Sequence, residues 1–325
     1  MELGRQYESA VRPSLRLPDW AWMGGVAVVL AGLSLILSDF QKTVATEMLI
    51  IALFAMSLNL IMGYGGMVHF GHAAFYGLGG YTTAILMFHY DVNAFLAMLA
   101  APFVSALAAL VIGWFCVRRV NLYFAILTLA FGQLVYILVF QAREFTGGDD
   151  GLHGLEIPEI LASPGNKYFF VLAVVLVCYV VLRMIVRSPF VLILRATREN
   201  PERAQFVGVD VRRHQLIVFV IGAFFAGIAG ALLAIKQQFV GVEMLFWATS
   251  AEPILASLMG GMFTLPGPAL GGALLVLLNI VLTRITTFWP LVLGTLTVVI
   301  VLVAPTGLLG LLQERWRRRT GKKDA

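Results

Sequence analysis

The chain has 325 residues, 60% of them hydrophobic and only 13% charged, with a net charge of +5. Water-soluble domains carry about 25% charged residues, and apolar runs recur here from end to end, so a soluble globular enzyme is excluded and lipid becomes the solvent for the fold. The positive charge does not point to nucleic acid: basic residues gather in short loops and at the C-terminus, the pattern of cytoplasmic loops.

In chain order, residues 1–19 read as a cytoplasmic segment carrying Arg5, Arg12 and Arg16. The apolar run 21–37 exceeds a signal-peptide core and no small-residue cleavage site follows it, so a retained first span is expected at 20–37. Apolar runs between charges place further spans at 44–62, 69–88, 94–117, 122–140, 168–186, 215–237, 251–262, 268–286 and 289–308. The eighth is too short to cross a hydrocarbon core at 1.5 Å per residue, and TLPGP, 264–268, breaks it from the ninth. The expected fold is an all-α integral membrane protein, a polytopic helical bundle of about ten transmembrane spans with one short or broken.

Orientation follows from lysine and arginine placement. With the N-terminus inside, the arginines before span one, Arg118 and Arg119, and the run from Arg187 to Arg213 all fall on the cytoplasmic side. The C-terminus is then also cytoplasmic. The acidic stretch with Glu144, Asp149, Asp150, Glu156 and Glu159 falls outside. The transmembrane domain is bounded at 20–310, and 311–325 is a basic tail; RWRRRTGKK, 315–323, suits an anionic lipid surface. Cys116 and Cys178 lie inside apolar runs and read as inert buried thiols.

GYGGMVHFGHAAFYGLGGYT, 63–82, interrupts the grease with glycine and two histidines. On a helix over 69–86, His69, His72, Ala73, Tyr76, Gly77, Gly80, Thr83 and Ala84 share one arc of about 140°. Small residues at 4-3-4 spacing let helix backbones approach closely, and histidines on that face belong against protein or water. GYGG just upstream can break a helix, which at membrane depth is tolerated only in protein or beside a cavity. The stretch therefore reads as a pathway-lining break followed by a close-packed helix; tight packing without substrate contact is the plainer alternative. A metal pair at His69 and His72 has no acidic or thiol partner nearby. GGM recurs at 260–262 before a second glycine-rich helix, which suggests an internal repeat.

Nucleotide-binding and hydrolase motifs are absent. Glu47 and Glu252 sit near expected span ends, where Ser250 and Glu252 suffice as a helix cap. With no acid expected at mid-span, an ion-coupled carrier is disfavoured. Asn59, Gln133 and Asn279 are the mid-span polar residues, read as interhelical hydrogen-bonders. The chain looks like a conduit powered from elsewhere. Asn200 as N-cap, Pro201 at the first helical position, Glu202 in the first turn and Gly208 as terminator predict a short cytoplasmic helix at 201–207 within the loop 187–214.

From here the sequence resembles the membrane subunits of ABC-type importers for branched-chain amino acids, the M-type permease in particular. The glycine-rich stretch at 63–82, LYFAILTLAFGQ (122–133), TGGDDGL (146–152), RATRENPERAQFVGVDVRRHQ, and Ser250, Glu252, Gly260, Gly261, Gly267, Pro268 and Gly271 carry the resemblance in order. It implies a multi-pass protein of a bacterial inner membrane that translocates leucine, isoleucine, valine or a similar solute. It implies a second permease, two cytoplasmic ATP-binding subunits that hold the ATP and magnesium, and a periplasmic or lipid-tethered solute-binding protein. No cofactor, metal or catalytic residue is implied on this chain. The implied substrate path comprises Gly63, Tyr64, Gly65, Gly66, His69, Phe70, Gly71, His72, Thr128 and Gln133. The implied coupling residues are Arg198, Glu199, Asn200, Pro201, Glu202, Arg203 and Gly208, and the binding-protein loop is Thr146, Gly147, Gly148 and Asp149. Met67 and His69 stand where the family usually has Gln and Ser, and Phe263 where it often has Gly. Relatives of this architecture also handle urea and short amides.

Overall fold

The computed structural model describes residues 19–34, 36–119, 121–303 and 307–311. The basic residues of 1–18 and the tail from 312 lie outside the described residues. Helices dominate, in this order: α1 Asp19–Leu33, α2 Asp39–Asn59, α3 His72–Tyr90, α4 Ala94–Cys116, α5 Asn121–Gln141, the single turn α6 Arg143–Thr146, α7 Pro164–Val186, α8 Pro189–Glu199, α9 Pro201–Phe206, α10 Val211–Gln237, α11 Ala251–Gly260, α12 Pro266–Ile285 and α13 Trp289–Val303. A π-helical turn, Leu60–Tyr64, extends α2. Among the described residues six helices, α2 with its extension, α4, α5, α7, α10 and α12, are long and apolar enough to cross a membrane. The expected spans at 20–37, 69–88, 251–262 and 289–308 each meet a helix that is shorter or less apolar than that.

Helix starts follow local chemistry. Ser38 and Gln41 form a reciprocal capping box on α2. Ser163 caps α7 ahead of Pro164, and Asp210 Oδ1 accepts the Arg213 amide at the head of α10. The centre of the bundle is α2, α3 and α10. In their apolar windows α2 and α10 are 72% and 67% buried, against 22% for α5, so α5 belongs to the periphery. α3 is buried on nearly every side, its large residues Phe75 and Tyr81 included, so its small face is not its only packed face.

Close approach of α3 and α10 depends on glycine. A Cβ on Gly230 would lie 1.8 Å from the Tyr76 carbonyl oxygen, and one on Gly79 would lie 2.2 Å from that of Gly227. The expected 4-3-4 stripe is only partly this contact: Gly77 and Gly80 instead receive Leu245 and Met244. Those two residues belong to an irregular stretch after α10. It begins with strand β2, Phe239–Val240, which pairs antiparallel with β1, Leu152–His153, of the acidic loop. It then descends along α3 through the 3₁₀ turns Val242–Leu245 and Trp247–Ser250. Ser250 ends it beside Ala73, whose amide donates to Ser250 Oγ at 2.9 Å. α11 therefore starts inside the bundle, which is why ten residues suffice. One expectation fails here: Ser250 caps α3 rather than its own helix, where it makes no side-chain cap. Glu252 stands in the first turn of α11, as expected.

Candidate functional site

α2 ends in the π turn, and Gly66 turns the chain with φ +69°. Residues 67–71 are not helical, and α3 begins only at His72. His69, Phe70 and Gly71, expected on a helix, thus lie in the break itself. Gly66 in the left-handed region stops the helix, and buried surroundings make the freed backbone tolerable. His69 and His72 are both fully buried. They meet edge to face, ring centroids 5.0 Å apart. His69 lies against Phe219 and Phe124, and His72 stacks on Phe54 at 5.2 Å. Ser57 Oγ donates to the Phe54 carbonyl at 2.7 Å, so at 2.8 Å from His72 Nε2 it is left to accept. Both nitrogens of His69, Nδ1 of His72, Oδ1 of Asn59 and Oε1 of Gln133 are buried without a partner. Leaving such a group unpaired costs about 1–3 kcal/mol, so the break is a polar plug in an otherwise apolar bundle.

α5 closes one side of the break. A Cβ on Gly71 would lie 2.2 Å from the Thr128 carbonyl oxygen, and Gly132 faces Gly71. Thr128 Oγ1 lies 3.4 Å from the Phe70 amide. The two motifs at 63–82 and 122–133 therefore meet. The second GGM meets them too. Gly261 has φ +112° as Gly66 has +69°. Asn59 Nδ2 donates to the Thr264 carbonyl at 3.2 Å, and Gly63 lies against the Met262 carbonyl. The repeated GGM thus marks two helix–break–helix units whose breaks touch. Asn59, expected to bond between helices, bonds instead from its helix to the turn at 261–265. Asn279 does not bond between helices either: its side chain receives Thr283 of its own helix.

The loop 187–214 reaches this site from below. α8 buries Val191 and Leu194, and Arg195 lies over the Tyr64 ring at 5.0 Å. Arg198, expected at the outer coupling surface, turns inward. Its guanidinium donates to the Gly63 carbonyl at 2.5 Å and covers the Phe263 ring at 5.0 Å. One side chain thus ties α8 to both breaks. Asn200 Oδ1 accepts the Arg203 amide at 2.9 Å, capping α9. α9 ends on Gly208 at φ +88°, with Val209 N–H bonded to the Ala204 carbonyl and Gly208 N–H to that of Gln205, a Schellman end. The predicted helix at 201–207 is this element. Missed in the sequence were Phe206 and Val207, 89% and 81% exposed at its tip; two adjacent apolar residues before a terminating glycine were the available signal. A cleft of about 420 Å³ opens between α9, the break and α5, lined by Gly66, Phe70, Arg119, Leu122, Arg198 and Pro201 among others.

At the far end, Thr146 Oγ1 lies 2.7 Å from the Val139 carbonyl, and Gly147 and Gly148 have φ +75° and +61°. Asp149 and Asp150 are exposed. The turn is fastened to Val240 and Gly241 through Gly151. The acidic loop and the descending stretch are therefore one structure. Among the described residues no group of three His, Cys, Asp or Glu could hold a metal ion.

Residues 42–304 match the family described as "Branched-chain amino acid transport system / permease component". The high-affinity branched-chain amino acid transport system permease protein LivM of Salmonella typhimurium is 28% identical over 306 residues, covering 86% of this chain and 72% of that protein. LivM of Escherichia coli K12 is 28% identical over 305 residues with the same coverage. LivH of Salmonella typhimurium is 26% identical over 290 residues, covering 80% of this chain and 91% of that protein. No solved structure matches the chain.

Proposed function

The chain belongs to the family of permease components of branched-chain amino acid transport systems, and we propose that it is the M-type membrane subunit of an ATP-driven importer for leucine, isoleucine and valine in a bacterial inner membrane. Both LivM-like and LivH-like permeases resemble it, which supports pairing with a paralogous second permease. In this reading ten spans cross the membrane with both termini cytoplasmic. Two cytoplasmic subunits bind ATP and magnesium, and a periplasmic or lipid-tethered protein delivers solute to the loop at Thr146–Asp149. The chain itself carries no cofactor and no catalytic residue.

The observation that carries this reading is the loop 187–214. Its tip presents an apolar pair, Phe206 and Val207, to water, a cost that a docking partner removes. Its inner end holds both breaks through Arg198. Movement of an ATPase against α9 then pulls on the backbone at Gly63 and on the 261–265 turn. Separating the breaks opens the plug at His69 and His72, and the unpartnered groups beside Thr128 and Gln133 meet water and solute. The test is uptake of labelled leucine against urea in a strain lacking the gene, complemented with wild type or Phe206→Asp. Wild type restores leucine uptake only. Phe206→Asp inserts into the membrane but neither restores uptake nor retains the ATP-binding subunits on purification. Restored leucine uptake by Phe206→Asp contradicts the docking role.

A further inference from the structure

The cleft beside the break carries charge that none of the roles above uses. It opens between the α4–α5 corner, residues 65–70 and the start of α9. Two guanidiniums line it, Arg119 and Arg198, and among the described residues no Asp or Glu does. Arg198 is committed to the Gly63 carbonyl and the Phe263 ring. Arg119 is exposed and makes no ion pair among the described residues. Its own stretch supplies no acid: from Asn93 to Ala142 the only charged residues are Arg118 and Arg119. Most of the remaining side chains in the lining are apolar, and Val68, Phe70 and Leu122 are open to the surroundings.

The corner also marks a level in the membrane. Trp114 is 55% exposed and lies under the Arg118 guanidinium at 5.0 Å. Phe115 and Tyr123, before and after the corner, are exposed as well. Exposed Trp and Tyr beside arginine is the composition of a membrane–water interface. Leu122 and Ile126, one turn apart on α5, are exposed too and continue an apolar track away from Arg119. An occupant that suits both parts has an anionic head and an acyl chain. A guanidinium holds two phosphate oxygens through parallel N–H donors, and basic pockets between transmembrane helices on the cytoplasmic side hold anionic lipid headgroups. A zwitterionic lipid would bring an ammonium that no carboxylate of the cleft answers. We propose that the cleft seats one anionic phospholipid of the cytoplasmic leaflet, its phosphate on Arg119 and an acyl chain along Leu122 and Ile126. A lipid seated there touches the break and the start of α5 together, and so braces one against the other. The inference rests on the membrane placement proposed above and is independent of which solute is carried.

The test uses the complete assembly, this chain with its second permease, ATP-binding subunits and binding protein. It is purified from bilayers of equal phosphatidylglycerol and phosphatidylcholine, and the lipid retained per complex is read by native mass spectrometry. Compared are wild type, Arg119→Gln, Arg119→Lys and Arg118→Gln, each first shown to co-purify as the full complex. Wild type is expected to retain phosphatidylglycerol over phosphatidylcholine by at least tenfold. Arg119→Gln lowers that preference at least fivefold, and Arg119→Lys keeps at least a third of it. Arg118→Gln removes the same charge one residue away, outside the cleft, and stays within twofold of wild type. Equal loss in Arg118→Gln and Arg119→Gln overturns the inference, because diffuse surface charge then suffices. A wild type without preference overturns it too. In a parallel sample excess inorganic phosphate is added. Retention of the lipid is expected, since the acyl chain adds apolar contact; complete displacement assigns the cleft to free phosphate and overturns the lipid. The readout is lipid alone, so an assembly that imports urea and not leucine would refute the solute reading without altering this result.

Discussion

Arg198 shows how much one side chain can connect. A guanidinium can donate to the Gly63 carbonyl and sit over the Phe263 ring at 5.0 Å at the same time; an ammonium lacks the extended planar group that reaches both. Arg198→Leu and Arg198→Lys are therefore both expected to cut ATP-driven uptake at least fivefold while leaving assembly with the ATP-binding subunits intact, as read by co-purification. Full activity in Arg198→Lys would show that charge alone suffices. Gly230 is the second telling residue. A methyl there would strike the Tyr76 carbonyl at 1.8 Å, and backbone cannot step aside. Gly230→Ala is expected to destabilise the purified permease by about 2–4 kcal/mol. Gly165→Ala, with nothing within 4 Å, should be neutral or stabilising by up to about 1 kcal/mol; thermal melting in detergent separates the two. Neither residue stands out in the sequence, because helical glycines look alike until the neighbouring backbone is known.

At the scale of elements, six of the ten expected spans were legible as helices long and apolar enough to cross a membrane. Charges bracket the runs at 94–117 and 168–186, so the helices Ala94–Cys116 and Pro164–Val186 fall within a few residues of expectation. The α9 helix was legible for a different reason: Asn200, Pro201 and Gly208 are each a local instruction. The stretch 241–250 was illegible, since VEMLFWATS is too short and irregular for a span and reads as a loop. Its descent along α3 depends on Gly77 and Gly80 leaving room for Leu245 and Met244, a tertiary fact. That descent brings Ser250 to the Ala73 amide and takes it away from capping its own helix. The end of α9 is the element most open to test. Gly208 holds φ +88° and donates to Gln205, whereas proline fixes φ near −65° and has no donor. Gly208→Pro should unravel the α9 terminus and uncouple transport, with uptake lost and insertion retained; normal uptake would dissociate α9 from coupling.

Across the whole molecule, the two ends of the bundle are linked by short contacts. The acidic loop is paired to the descending stretch, which runs along α3 to Ser250 and on through α11 to the 261–265 turn, where Arg198 takes hold. A binding protein above and an ATPase below would therefore act on one continuous strip of chain, and no energy source on the chain itself is needed. The pairing of β1 and β2 is expected to matter to this transmission: Gly151→Val, which would strike the Val240 carbonyl and strain φ +68°, should weaken stimulation of ATP hydrolysis by the loaded binding protein at least threefold, read on the intact complex. Unchanged stimulation would place the signal elsewhere. The most direct measurement compares solute uptake by proteoliposomes holding the full assembly with uptake by liposomes holding this chain alone. The account predicts uphill leucine uptake by the assembly on addition of ATP, and none by the lone chain under a proton or sodium gradient; gradient-driven accumulation by the lone chain would contradict it.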